Sequence, residues 1–334
     1  MHRISRVTIG LIGLVAAAGF VAGCGKAGSS GTAAPASGAA AGGCAPVAGT
    51  QLVVLTDDKH LQNADNIIAA INTKAAKPEV IAALDKVAAA LDQAALVKLN
   101  KATDLDHKTS PVAAQEFAQS SNFASGITKG GSGTLVVGAA NFSESQTIAE
   151  LYKIALTAAG YTVSTQTIGN RELYEPKLEK GEVQVIPEYA ATLTEFINGK
   201  VNGASPAPLA SSDVDKTVAA LKTLGTKVGL SFSAAAAAAD ENAFAVTKEF
   251  ATKYGVTTLS DFASKCSGKD SIMGGPAECP KRPFCQVGLE KTYTISFGQF
   301  KSLDSAGPLT KQALTSGQIS LGLVLSSDAQ LAGA

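Results

Sequence analysis

The sequence predicts an α/β protein with open sheets arranged as two lobes or two domains. Two observations carry this expectation. Leu135 to Thr192 forms a β-α-β-α-β series: LVVGAANFSESQTIAELYKIALTAAG, then YTVSTQTIG, then NRELYEPKLEKGE, then VQVIPEYAAT. Short apolar runs alternate there with amphipathic stretches, and polar residues follow the ends of the strands. The second observation is size. About 285 residues remain behind the leader and tether, enough for two units of ~100–200 residues each.

The elements follow in order. Residues 1–23 read as a leader, with Arg3 and Arg6 as a basic start and Val7 to Ala22 as an apolar core short for a membrane span. It ends in Val21-Ala22-Gly23-Cys24, which resembles a bacterial lipobox and implies cleavage and lipidation at Cys24; an ordinary signal peptide is the competing reading. Residues 24–49 are small and polar, a flexible tether. Gln51 to Leu55 is β-rich. Asn66 to Asn72 and Pro78 to Leu99 read as helices, the second with Val80, Leu84, Val87 and Leu91 on one stripe. Ser110 opens a helix through Phe117, and Lys129 to Gly133 is a linker. After the β-α-β-α-β series, Ser211 to Leu224 is helical, and Ser231 to Ala239 is alanine-rich without a clear period. Ala243 to Val246 is a strand, Lys248 to Tyr254 a helix, and a further helix ends near Cys266. Ser271 to Gly275 and Ser320 to Leu325 are strands, with helical stretches at Gly288 to Thr292 and Thr310 to Thr315.

Composition narrows the function. There are 28 basic and 28 acidic residues and no basic stripe, which argues against nucleic acid. His2, His60 and His107 are scattered and form no metal-ligand cluster. No nucleophile elbow, phosphate loop or spaced acid pair supports an enzyme, and no cofactor is implied. Beyond Cys24, the even set of Cys44, Cys266, Cys279 and Cys285 points to disulfides in three possible pairings. Zinc is the competing reading, weakened by the lack of a C-x-x-C pair. Asn141, Ser143, Glu144 and Gln146 lie at a strand's carboxyl end where a helix starts, the usual place for a ligand in an open α/β sheet.

The run NFSESQ…GNRELYEPKLEKGEVQVIPEYAAT resembles the substrate-binding proteins of osmoprotectant ABC transporters, which hold glycine betaine, choline or carnitine. DENAFAVTKEFATKYGVTTLSDFA, GGPAECPKRPFCQVGLEKTY and LTKQALTSGQISLGLVLSSDAQLA extend the resemblance over nearly all of 50–334. It implies a periplasmic-binding-protein-like fold with ligand between two lobes. It also implies a small-molecule solute and permease and ATPase partners, with the chain held at the outer membrane face by its lipid. In that family the segment like LVVLTDDKHLQNADN comes last; here it comes first, so the chain looks circularly permuted. The permuted order implies lobes at 50–237 and 238–334, with the first made of a relocated segment 50–125, a linker 126–133 and the family's amino-terminal part. A single peptide crossing is expected near Ala234 to Asn242. Pairing of Cys44 with Cys266 would restore a second tie, and Cys279 would pair with Cys285 within its loop.

The same resemblance implies a ligand set. Tyr189 matches a position in the family's aromatic cage. Asn242, and Asp65 with Asn66, fall where relatives carry further rings, which suits a more polar ligand or a cation balanced by the carboxylate of Asp65 or Glu144. Arg171 is positioned to fork onto a ligand carboxylate or to pair with Glu172 or Glu188. Arg282 would close over the ligand from the second lobe, and Ser327 and Asp328 lie at a strand end facing the cleft. Phe142 and Thr192 complete the set. Tyr152 and Tyr161 read as packing residues. The alternatives are a sensor or interaction module on the same fold, or a binder of ergothioneine, an amino acid or a polyol.

Overall fold

The computed structural model describes residues 42–331, so the leader, Cys24 and most of the tether lie outside the described residues. Two five-stranded sheets form the two lobes. The first contains β2 (Ile67–Asn72), β3 (Thr134–Ala140), β4 (Thr162–Gly169), β5 (Val185–Tyr189) and β6 (Leu230–Phe232), in the order β4-β3-β5-β2-β6. Its β4, β3 and β5 are parallel, as the β-α-β-α-β series requires, and β2 runs antiparallel to both β5 and β6. The second contains β1 (Leu52–Val54), β7 (Asn242–Thr247), β8 (Gly268–Pro276), β9 (Phe297–Leu303) and β10 (Leu321–Leu325), in the order β1-β7-β10-β8-β9.

Helices cover the first sheet: α1 (Pro78–Ala90), α2 (Gln93–Asp104), α3 (Ser110–Ser121), α4 (Ser143–Ala158), α5 (Arg171–Lys180), α6 (Ala190–Asn202) and α7 (Val214–Val228). Pro78 and Glu79 begin α1 as a first turn favours. The helix expected over 78–99 is two helices, because Asp92 turns the chain and caps α2 by accepting from the Ala95 N–H at 2.8 Å.

Asn66 to Asn72 is a strand, not the helix expected. Ile67, Ala69 and Ile71 enter one core cluster while Ile68 and Ala70 enter another on the opposite face. A strand apolar on both faces loses the alternation that marks a strand. All six residues of β2 are buried, in the middle of the sheet.

The division of the chain also differs from the expectation. Leu52–Val54 pairs with Thr247, Val246 and Ala245, so the chain's first strand belongs to the second sheet, not to the first lobe. The chain therefore crosses between lobes twice, after β1 through Leu61 to Asp65 and after β6 through Ala236 to Glu241. The crossings are hydrogen-bonded side by side. Asn66 pairs with Ala239, and the Asp240 N–H donates to the Asp65 carbonyl at 3.1 Å.

Cys44 is bonded to Cys266 and Cys279 to Cys285, the expected pairs. The first bridge does not tie the lobes. Cys44 and Cys266 share the core of the second lobe, where the Cys44 N–H donates to Ser271 Oγ at 2.9 Å. It fastens the segment preceding β1 to the body of that lobe across 222 residues of chain. Replacing both cysteines by serine is expected to lower stability by about 2–5 kcal/mol while leaving ligand affinity within about twofold. Chemical unfolding beside a binding titration checks this; a large affinity loss at intact stability would return the bridge to the hinge.

Candidate functional site

Three helices of the first lobe start at the carboxyl edge of its parallel strands: α4 after β3, α5 after β4 and α6 after β5. Phe142, Asn170 and Tyr189 precede them and make no side-chain cap. Asp65, arriving on the first crossing, caps α6 instead. Its Oδ1 accepts from the N–H groups of Ala191 at 2.7 Å and Thr192 at 3.0 Å. Burial pushes the Asp65 carboxyl up to about 7, against those N–H bonds and the charge of Arg171.

These helix starts form one wall of a cleft of about 300 Å³; the other comes from Asn242, Leu325 and the loop Glu278 to Phe284 of the second lobe. Five aromatic rings line it: Phe142, Tyr174, Tyr189, Phe196 and Phe284. Phe142 stacks on Tyr189 with centroids 6.3 Å apart, and the Arg171 guanidinium lies 6.0 Å from the centre of Phe196. One contact across the cleft and two to the Phe284 carbonyl hold the second wall. Arg282 donates to Glu172 at 2.9 Å from its Nη2, and the Phe284 carbonyl accepts from Asn242 at 3.0 Å and from Gln62 at 3.1 Å.

Arg171 is committed within the protein. Its Nε donates to Glu188 Oε1 at 2.9 Å and its Nη2 to Glu188 Oε2 at 2.7 Å and to Thr192 Oγ1 at 2.8 Å. Tyr174 adds its hydroxyl to Glu188 at 2.9 Å. Arg171 is 5% exposed and Glu188 1%. Burial opposes the guanidinium charge, but Glu188 outweighs it and Arg171 stays ionised. The fork expected for a ligand carboxylate is thus filled by Glu188.

Behind Tyr189 lies a buried polar network. The Tyr189 hydroxyl donates to Glu144 Oε1 at 2.6 Å, while Asn100 Nδ2 and Ser327 Oγ donate to Glu144 Oε2 at 2.6 and 2.7 Å. The Ser327 N–H donates to Asp240 Oδ1 at 3.0 Å. Burial, then mutual repulsion with Glu144, raises the Asp240 carboxyl far above its ordinary range; burial likewise raises Glu144.

Of the residues read from the sequence, Asp65, Asn141, Phe142, Arg171, Tyr189, Thr192, Asn242 and Arg282 line the cleft. Glu144 and Ser327 sit behind its wall in the network just described. Ser143 and Gln146 lie in the first turn of α4 off the wall, and the Asn66 side chain donates to the Ala236 carbonyl within the crossing at 2.9 Å. Asp328 pairs with Lys311, away from the cleft. Tyr174, Phe196, Phe284, Asn170 and Asp240 line the cleft and were not foreseen. Phe284 stands in the loop ECPKRPFC beside Arg282, and Asn170 and Tyr174 stand in GNRELY beside Arg171.

Asp65, Glu144 and Asp240 give the ligand-free protein a defined pH dependence. A carboxyl whose pKa is raised on folding holds its proton where the unfolded chain has lost it, so stability falls as pH rises above the ordinary carboxylate range; for Asp65 the fall is about 1.4 kcal/mol per pH unit up to about 7. Thermal melting is expected at a higher temperature at pH 5 than at pH 7.5, and Asp65→Asn is expected to flatten the profile. An unchanged profile in that variant would remove Asp65 from the titration.

With this geometry in hand, the relationship of the chain is decided. Residues 45–120 and 133–333 match the family described as the substrate binding domain of ABC-type glycine betaine transport systems. The chain belongs to that family. Comparison with curated proteins finds no match. The family is one of substrate-binding rather than catalytic domains, with a small-molecule ligand and ABC transporter subunits as partners. The unmatched stretch between the two segments, 121–132, contains most of the Lys129–Gly133 linker.

Proposed function

We propose that this protein is an extracytoplasmic solute receptor of an ABC importer that captures a small quaternary-ammonium or zwitterionic osmoprotectant in the cleft between its lobes. The observation that carries the reading is the set of five aromatic rings around a cleft that also presents several carboxyl groups. Asp65, Glu172, Glu195, Asp240 and Glu278 line it against Arg171, Lys281 and Arg282. Ring faces attract a cation most strongly where water is excluded. The two guanidinium groups are already engaged by Glu188 and Glu172. Asn170 and Asn242 supply polar contacts beside the rings, and Asn170 Oδ1 is a buried acceptor without a partner among the described residues, suited to a hydroxyl on the ligand.

Delivery follows from the sequence. Lipidation at Cys24 and the tether that follows it would hold the receptor beside its permease, although the expected tether at 24–49 ends short of Cys44, which is fixed in the second lobe by its bridge to Cys266. No helix among the described residues is long and apolar enough to cross a membrane. The permuted order is part of the same reading, supported by the break in the family match at the linker.

Thermal shift with choline, glycine betaine, carnitine and ergothioneine tests the ligand class. A ligand at a hundred times its Kd is expected to stabilise the fold by about 2.7 kcal/mol. Stabilisation by amino acids or polyols, with none from the quaternary ammonium compounds, would contradict the proposal.

A further inference from the structure

Resting on the reading that the cleft takes a quaternary-ammonium head, we propose that such a cation is captured in exchange for a proton held between Glu144 and Asp240. One residue of the second lobe bridges the two carboxyl groups. Ser327 gives its hydroxyl to Glu144 at 2.7 Å and its backbone N–H to Asp240 at 3.0 Å. Glu144 is 2% exposed and Asp240 4%. Two carboxyl groups held together away from water do not both ionise, and they titrate as a pair that shares a proton.

The surroundings leave that proton uncompensated. From β5, Tyr189 donates its hydroxyl to Glu144; from α2, Asn100 donates its amide. From the first crossing, Asp65 adds a third carboxyl, joined to Asp240 through the backbone. The cationic groups around them are occupied: Arg171 of α5 by Glu188, Arg282 by Glu172 and Glu278, and Lys311 by Asp328 of the turn after β10. Among the described residues no ion pair reaches Glu144, Asp240 or Asp65.

Asp240 also faces the cleft, beside Phe142 and Tyr189. A cation seated on those rings supplies the positive charge that the shared proton supplied before. The proton then leaves to solvent and the pair becomes fully ionised. Capture is therefore linked to pH with a definite sign: affinity for a cation rises as pH rises through the titration of the pair.

The test is calorimetric titration of the full protein with choline, in two buffers of different ionisation enthalpy, from pH 5 to 8. The expected result is release of close to one proton per choline at the acidic end and a Kd that falls by up to about tenfold per pH unit. Asp240→Asn is expected to cut the release and flatten the pH slope, leaving only what Asp65 contributes. Glu144→Gln provides the same test should the first variant fail to fold. Wild-type protein that binds choline without releasing a proton would overturn the exchange and leave the functional reading standing, as would an undiminished release in folded Asp240→Asn. A protein that binds no choline at any pH but does bind glycine betaine overturns the exchange alone, whereas binding of no quaternary ammonium compound overturns the reading beneath it as well.

Discussion

Replacing Arg171 by alanine is expected to destabilise the fold by about 3–5 kcal/mol, because it strands Glu188 as a buried, unpaired carboxylate. The pair is almost sealed from solvent, and Arg171 contributes two forked bonds to Glu188 and one to Thr192. The Tyr174 hydroxyl and the Tyr189 N–H would remain on Glu188, and neither carries a charge. Arg171→Lys keeps the charge and loses the fork, so an intermediate loss is expected. The double replacement Arg171→Met with Glu188→Leu is expected to recover most of the stability, since removing both ions removes their desolvation cost. Denaturant unfolding of the four proteins checks this. An Arg171→Ala variant within about 0.5 kcal/mol of wild type would show that the pair is open to water.

Tyr189→Ala is expected to weaken binding of a quaternary ammonium ligand by about thirtyfold, corresponding to roughly 2 kcal/mol for a desolvated cation–ring contact. The ring stacks on Phe142 and closes the wall in front of Glu144. Tyr189→Phe separates the two parts of the residue. It retains the ring, so affinity is expected within a few-fold of wild type, while Glu144 loses one of its three donors and stability drops by about 1–3 kcal/mol. Equal affinity losses in both variants would transfer the role of Tyr189 from its ring to its hydroxyl.

The central β-α-β-α-β series is readable because α4 is long and amphipathic and its strands are set off by polar turns. β2 is not, since IIAAI packs apolar side chains on both faces and so carries no alternation. β1 is three residues long, and its partner in β7 lies about 190 residues further along the chain. Nothing local could place it in the second sheet, so the count of crossings and the expected role of the Cys44–Cys266 bridge both shifted. β9, half-buried and mixed in character, carries no period that marks it as a strand.

The site followed a similar division. Residues at the ends of the recognised strands, such as Asn141, Arg171 and Tyr189, reached the cleft. The remaining rings come from two helices, α5 at Tyr174 and α6 at Phe196, and from the far lobe at Phe284, and only the folded chain brings them around one space. Arg171 shows the limit of reading a single side chain. Its place after a strand leaves a ligand contact and an internal pair with Glu172 or Glu188 equally open, and burial with two forked bonds favours the pair with Glu188.

A crystal structure grown with saturating choline or glycine betaine tests the central claim most directly. The account expects the trimethylammonium group between the lobes, within about 6 Å of the ring centres of Phe142 and Tyr189 and facing Asp240 and Asp65, with Arg171 still on Glu188. A ligand seated elsewhere, or one whose carboxylate displaces Glu188 from Arg171, would contradict it.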